Sequence, residues 1–201
     1  MGFVRQCTPA GGGRDHDQPK APVKVDDPGD RANDIGDALV VRRVIMTIAA
    51  SVSDYLSHEG VRYDLLTHSN TQDSAHTAQT AHIPGDQLAK CVVLEDENGY
   101  LMAVLPASHR LDLRAVRDEL NRPVELASER ELVALFSDCE PGAIPPLAPA
   151  YGIEAVVDQS LGDLSDVYFE AGDHVSLVHV SGRDFLKLMS DAPHRYISHH
   201  L

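Results

Sequence analysis

Lys90 is the first residue whose type and position suggest chemistry, because it lies within the nearly continuous apolar run Leu88–Leu94. Such a run predicts a β-strand covered on both faces, and strand alternation puts Lys90 on the same face as Val92. Lysine is seldom buried, since removing an ammonium from water is costly without a partner. Two interpretations remain open. Either the stem packs while the ammonium reaches solvent, or the cation enters a cleft and there binds a phosphate or polarises a carbonyl.

A second candidate is the loop 138–146, with the sequence Asp-Cys-Glu-Pro-Gly-Ala-Ile-Pro-Pro. Gly142 leaves the neighbouring backbone N–H groups uncovered, and Pro145 and Pro146 stiffen the chain that follows. Preorganised N–H donors of this kind hold an ester oxygen or stabilise a developing oxyanion. The alternative interpretation is an ordinary proline-rich connection between a helix and a strand.

The cysteines and histidines offer weaker chemistry. Cys139 would be a nucleophile if Lys90 lowered the pKa of its thiol, but no paired base is evident, and a partly buried loop thiol is the simpler interpretation. None of the eleven histidines stands at the spacing of a zinc motif, so neither a metal nor another cofactor is predicted. His68 and Ser69 follow the first predicted strand, where we expect them near the mouth of a cleft and in reach of a substrate.

The elements that must position these residues alternate between helix and strand signals. Asn98-Gly99 predicts a hairpin turn between two apolar strands, and Ser128-Glu129-Arg130-Glu131 has the pattern of a helix capping box. Apolar periodicity predicts helices over 46–59, 74–82, 113–120, 128–136 and 181–189, and strands over 61–66, 88–94, 101–105, 155–158, 167–170 and 174–180. This order predicts an α+β domain with a mixed, strongly curved β-sheet and surrounding helices.

Composition divides the chain into three parts. Residues 1–45 are rich in Gly and Pro and poor in large apolar residues, which predicts a disordered N-terminal extension. Residues 46–190 form the predicted domain, and Met46 is a conceivable translation start. Residues 191–201 are expected to be a frayed C-terminal tail.

Charge limits the partners. The formal net charge is -14, and all of it falls on residues 46–201 because residues 1–45 carry equal numbers of basic and acidic side chains. A surface this acidic repels nucleic-acid backbones, so DNA binding is not expected and any RNA contact must be local. No apolar run is long enough for a membrane span, and no signal-peptide pattern is evident. Three widely spaced cysteines indicate a reducing compartment, hence the cytoplasm.

Three motifs together resemble the YbaK/EbsC group, free-standing relatives of the editing domain inserted in bacterial prolyl-tRNA synthetases. They are Ala89-Lys90-Cys91-Val92-Val93, the Gly-x-x-Pro-Pro loop, and Phe169-Glu170-Ala171-Gly172-Asp173-His174, in an order and at spacings that agree with the group over about residues 46–190. The chain departs from the group at Lys90-Cys91, where many members have Lys-Thr, which leaves the substrate open.

The resemblance implies hydrolysis of mischarged aminoacyl-tRNA at its acceptor end, without a cofactor and with an aminoacyl-tRNA synthetase as a conceivable helper. Lys90 and Gly142 are the implied catalytic residues. The substrate-binding residues expected beside them are His68, Ser69, Ala143, Ile144, Pro145, Pro146 and Gly172. Two alternatives remain: a non-catalytic module of the same fold that binds an aminoacyl group or a protein, and a hydrolase that depends on Cys139.

Overall fold

The computed structural model describes residues 48–71 and 73–201 as strands and helices arranged in one mixed sheet and one small ribbon. The strands are β1 (Asp64–Thr67), β2 (Leu88–Asp96), β3 (Gly99–Pro106), β4 (His109–Leu111), β5 (Glu125–Leu126), β6 (Glu154–Asp158), β7 (Asp166–Glu170), β8 (Ser176–Ser181), β9 (His194–Arg195) and β10 (Ser198–His200). The α-helices are α1 (Ala50–His58), α2 (Ser74–Thr80), α3 (Leu113–Leu120), α4 (Glu129–Leu135) and α5 (Gly182–Leu188), with 3-10 turns at Ala148–Tyr151 and Gln159–Leu161.

The main sheet has the strand order β1-β8-β7-β2-β3-β6-β9. Its centre is the β2–β3 hairpin, whose antiparallel register runs from Ala89 opposite Pro106 to Asp96 opposite Gly99. Strand β2 pairs in parallel with β7, and β3 pairs in parallel with β6. The mixed sheet with helices around it confirms the predicted α+β class, and the hairpin turn lies at Asn98-Gly99 as predicted.

One edge of β2 is only partly paired. Parallel pairing with β7 covers Leu88 and Ala89, and antiparallel pairing with β5 begins at Leu94. Within the described residues no strand runs along 90–93 on this edge, although the Ala127 amide donates to the carbonyl oxygen of Val93 at 3.1 Å. The ladder alternates, so the backbone N–H and C=O of Cys91 face this gap rather than β3.

Both faces of the sheet are covered by helices. On one face, α1 and α5 pack on a large apolar cluster that includes Val52, Phe169 and Phe185. On the other face, α2 covers a cluster around Leu88, and α3 covers a second one that includes Leu94, Leu101 and Val116. Lys90 lies on this second face, in the break between the two clusters, because strand alternation places it between Leu88 and Val92.

Helix boundaries follow local capping chemistry. The Asp112 side chain accepts hydrogen bonds from the backbone amides of Arg114 and Ala115 at the start of α3, and Ser181 caps α5 through the Asp184 amide. The capping box of Ser128 and Glu131 opens α4, as predicted. The first helix starts at Ala50, later than predicted. Residues 46 and 47, like the predicted N-terminal extension, lie outside the described residues.

The C-terminal segment differs from the predicted frayed tail. Strand β9 extends the main sheet by pairing with β6, and β10 pairs with β4. Between them Ile197 is fully buried, and its amide donates to the Asp158 carboxylate at 3.2 Å. The prediction was wrong because these strands are two and three residues long, too short to give a periodic signal in the sequence. Strands β4 and β5 escaped prediction for the same reason.

Candidate active site

A cavity of about 330 Å³ opens at the unpaired edge of β2. Residues 90–93 of β2 form one wall of the cavity. The other walls come from two parts of the chain: β5, α4 and the loop after α4 form one group, and α2 with the segment before it and β7 with the turn after it form the other. The lining residues are Thr71, Asp73, Ser74, Lys90, Cys91, Val92, Val93, Leu126, Ala127, Leu132, Gly142, Ile144, Glu170 and His174. The gap in the sheet therefore creates the cavity, since a paired strand there would fill it.

Lys90 is partly buried in the cavity wall. Its Nζ atom donates to the carbonyl oxygen of Ala107 at 3.0 Å. Burial lowers the pKa of the Lys90 ammonium, the positive charge of Arg110 lowers it further, and the negative charge of Asp73 opposes both effects. The side chain thus has one neutral acceptor and two remaining N–H donors available for a ligand in the cavity.

Gly142 reaches the same cavity from the loop after α4. Its φ of +94° is a conformation that glycine adopts readily, and a Cβ atom there would lie 3.4 Å from Cε1 of His174. The His174 Nε2 atom lies 2.9 Å from the carbonyl oxygen of Pro141 and donates to it, which ties the loop to the turn after β7. The loop therefore exposes backbone at the cavity, fixed by a side chain from another element.

The remaining loop residues divide between lining and support. Ile144 lines the cavity, and its carbonyl oxygen accepts a hydrogen bond from the Cys91 thiol at 3.5 Å. Ala143, Pro145 and Pro146 are buried and do not line it. These three predicted binding residues thus lie beneath the loop surface, where they pack rather than face the cavity.

Three other predicted contacts also lie off the cavity wall. Gly172 packs against the start of α1, because a Cβ atom at this position would lie 2.9 Å from Cβ of Ala49. Ser69 is exposed, and its carbonyl oxygen accepts a hydrogen bond from Nδ1 of His68 at 2.8 Å. His68 lies behind the wall near Glu170, where burial raises the pKa of that carboxyl and His68 opposes the rise.

Sequence reasoning missed the acidic and hydroxyl groups of the cavity. Glu170 ends β7 on the cavity wall, and Thr77 of α2 donates to its Oε1 atom at 3.3 Å. Burial raises the pKa of Glu170 and outweighs the opposing effects of His68, His174 and Thr77. Glu170 and His174 stand in the third motif of the resemblance, which was the available signal, but only the fold brings that motif beside Lys90.

The two described cysteines are protonated at neutral pH. Burial raises the pKa of Cys91 to about 12 and that of Cys139 to about 11. Cys139 lies outside the cavity wall, 3.2 Å from the Tyr151 hydroxyl. A thiol in this state is a poor nucleophile, which argues against the cysteine-dependent alternative. In the described part of the chain, no three His, Cys, Asp or Glu residues cluster as metal ligands would.

Comparison with solved structures gives the same fold. The crystal structure of the hypothetical protein APE2540 is 25% identical, with a TM-score of 0.64, and the match covers 74% of this chain and 99% of that one. A candidate trans-editing enzyme for prolyl-tRNA synthetase is 21% identical, with a TM-score of 0.65 and coverage of 75% and 96%. A candidate signal transduction protein from Marinobacter aquaeolei VT8 is 23% identical, with a TM-score of 0.61, and covers 74% of this chain but 30% of its own.

The sequence itself identifies the family. No curated protein matches the chain. The family model of the aminoacyl-tRNA editing domain matches residues 68–188, which is more than half of the chain and includes every residue of the cavity wall. The resemblance to the YbaK/EbsC group is thereby confirmed at the level of the family. This chain belongs to the aminoacyl-tRNA editing domain family.

Proposed function

We propose that this chain is a cytoplasmic deacylase that acts in trans on mischarged aminoacyl-tRNA. In the reaction, a water oxygen attacks the carbonyl carbon of the ester between the amino acid and the terminal ribose. The ester C–O bond breaks, the ribose oxygen takes a proton, and a free amino acid and uncharged tRNA leave. The observation that carries the proposal is the meeting of Lys90 and Gly142, far apart in sequence, on one cavity of an editing-family fold.

Lys90 supplies the positive charge in this mechanism. Its free N–H donors hold the ester carbonyl or the nearby phosphate of the terminal nucleotide. Because the ammonium is partly buried, its charge acts through a medium less polarisable than bulk water and is worth more there. The neutral acceptor from Ala107 holds the side chain without cancelling its charge.

The Gly142 loop supplies the backbone donors. An oxyanion forms on the carbonyl oxygen as water adds, and N–H groups already in place stabilise it without reorganisation. The tie from His174 to Pro141 holds the loop at the cavity. No side chain of the wall is assigned as the base that activates water. As the family resemblance implies, the adjacent ribose hydroxyl of the substrate takes that role.

The acidic surface agrees with a protein that binds only the acceptor end of the tRNA. A body this negative repels the phosphates of the rest of the tRNA, so binding energy must come from the cavity. An aminoacyl-tRNA synthetase that holds the tRNA would offset this repulsion. None of the helices in the described residues has the length and apolarity needed to cross a membrane.

The decisive experiment is single-turnover release of amino acid from tRNAs charged with alanine, serine or glycine, measured against the spontaneous rate. Release above that rate, saturating with protein concentration, is expected for at least one substrate. Binding of the charged tRNA without accelerated release would instead establish the non-catalytic module. Lys187→Ala is the matched control for loss of a lysine charge, since Lys187 pairs with Glu59 away from the cavity.

A further inference from the structure

Two buried polar atoms beside the cavity lack a hydrogen-bond partner among the described residues. Oε2 of Glu170 and Nε2 of His68 are both shielded from solvent, and neither has a partner among the described residues. The Nδ1–H group of His68 donates to the Ser69 carbonyl oxygen, and its ring lies behind the cavity wall rather than on it. Glu170 is the one of the two that lines the cavity. Enclosed polar atoms without partners are costly, and each one calls for an explanation.

The other carboxylate oxygen of Glu170 is weakly satisfied. The hydroxyl of Thr77 is its donor, at 3.3 Å. The same hydroxyl lies 3.0 Å from the carbonyl oxygen of Asp73 and 2.6 Å from the hydroxyl of Thr71. The Thr71 hydroxyl can donate to Thr77, but the single Thr77 hydrogen must still serve either the Asp73 carbonyl oxygen or, farther away, Glu170. Glu170 is therefore short of donors at both oxygens.

Among the described residues, no lysine or arginine forms an ion pair with Glu170. The register that pairs Ala89 with Phe169 sets Lys90 next to Glu170 on one face of the sheet. Within the described residues they form no ion pair, and Lys90 bonds to Ala107 instead. The charged and titratable groups that act on Glu170 are His68, His174 and Asp173. An anion and a cation therefore line one cavity without cancelling each other.

We propose that Glu170 binds the α-ammonium group of the aminoacyl ester and makes the site selective for α-amino acids. An ammonium has three N–H donors and a positive charge, which is what a carboxylate short of hydrogen-bond donors requires. The ester and phosphate end of the same substrate is negative or polar and suits Lys90. This inference rests on the proposed deacylase function.

Asp73 is the other acid of the wall, but it is already occupied. Its Oδ1 accepts from the His76 amide at 2.9 Å, and its Oδ2 lies 2.7 Å from Nδ1 of His76. These bonds lower the pKa of Asp73 and commit it to capping α2. Glu170 is therefore the carboxylate left to bind a cation.

The test compares two acyl groups on one tRNA. The tRNA carries either the small amino acid released fastest among alanine, serine and glycine, or the matching α-hydroxy acid made by deamination. The wild-type chain is expected to release the amino acid about 10- to 150-fold faster than the hydroxy acid, relative to the spontaneous rates, because the hydroxyl cannot form the charged contact.

Glu170→Gln should abolish this discrimination by slowing only the aminoacyl substrate. Glu170→Asp should restore part of it, since it keeps the charge on a shorter side chain. Asp166→Asn is the matched control and should retain full discrimination. Asp166 lies on β7 with Glu170, but its carboxylate is exposed and bonds to His179 of β8. A melting curve for each variant separates misfolding from loss of recognition.

Two results would overturn the inference. Equal release of both acyl groups by the wild-type chain, or equal slowing of both by a folded Glu170→Gln variant, removes the ammonium contact while leaving the deacylase intact. Failure to release either acyl group contradicts the proposed function itself.

Discussion

At the scale of single residues, Lys90 connects the sequence to the proposed chemistry most directly. A lysine in an apolar strand is unusual, and the structure shows what accommodates it: a gap on one strand edge and a carbonyl acceptor from Ala107. The desolvation that lowers its pKa is also what strengthens its field in the cavity. The same position would be unfavourable for lysine if a strand closed the gap.

Lys90→Ala should slow single-turnover deacylation about 10- to 150-fold, because one charge-assisted contact with the substrate is lost. The variant should fold normally, since removing a partly buried cation relieves its desolvation. Lys90→Arg should recover little activity, because a planar fork replaces a compact charge in a small cavity. A near-wild-type rate for Lys90→Ala, measured beside Lys187→Ala, would leave Lys90 as a packing residue.

Asp158 shows a residue whose charge supports the fold rather than the site. Burial alone would raise its pKa, but hydrogen bonds from Ser160, Ser198 and the Ile197 amide outweigh burial and lower it. A carboxyl with a lowered pKa in the folded state stabilises the protein above its unfolded pKa, near 3.8. That stabilisation is lost as the pH falls through the lower, folded-state value.

Asp158→Asn should therefore destabilise the protein near neutral pH and show less further loss of stability below about pH 4 than the wild type. Urea unfolding at pH 7 and at successive acidic pH values measures both effects. Asp166→Asn, at an exposed carboxyl, is the comparison variant. Parallel stability curves for wild type and Asp158→Asn across the acidic range would contradict the assignment.

At the scale of elements, the loop after α4 is positioned by two glycines with different tasks. Gly142 faces the cavity with a φ of +94°, whereas Gly172 has a φ of +116° and is pressed against Ala49. The Glu140 amide donates to the Gly172 carbonyl oxygen at 2.8 Å, which joins the two turns. Both positions disfavour a side chain, but only Gly142 lines the cavity.

Gly142→Val should reduce activity more than stability, because the side chain would crowd the exposed backbone donors and the ring of His174. Gly172→Val should do the reverse and lower the melting temperature, since its Cβ collides with Ala49 in the protein interior. Melting curves and single-turnover rates for both variants check this. Unfolding of Gly142→Val before loss of turnover would make that loop structural.

The C-terminal strands are a second case in which an element decides stability. Ile197→Ala should lower the free energy of unfolding by about 2–5 kcal/mol, because the side chain is fully buried in the cluster under α3. Tyr196→Ala, at an exposed neighbour, is the matched control. Chemical unfolding measures the free energy of unfolding of both variants. A loss for Ile197→Ala no larger than that for Tyr196→Ala would show that this segment does not pack on the domain.

At the scale of the whole molecule, the predicted N-terminal extension can be tested separately from the domain that follows it. Residues 1–45 carry no net charge and few large apolar side chains. Deleting them should change neither the melting temperature nor the single-turnover rate appreciably. A loss of several degrees on starting at Met46 would show that this segment packs on the domain. Its apolar stretch 38–45 is the part most able to do so.

The sequence by itself determined what local chemistry controls. The NG turn, the Ser128 capping box and the apolar run around Lys90 each depend on neighbours a few residues away, and the structure confirms the elements that they predict. The motif order was also enough to indicate the family, because it is a property of the chain alone.

Only the tertiary structure decided which residues share the cavity. Glu170 and His174 stand beside Lys90 and Gly142 because β7 pairs with β2 over two residues and then diverges. Ala143, Pro145 and Pro146 turned out to be buried beneath the loop, and the last strands docked on β6 and β4. Such outcomes depend on contacts between residues dozens of positions apart, and no periodicity within one segment encodes them.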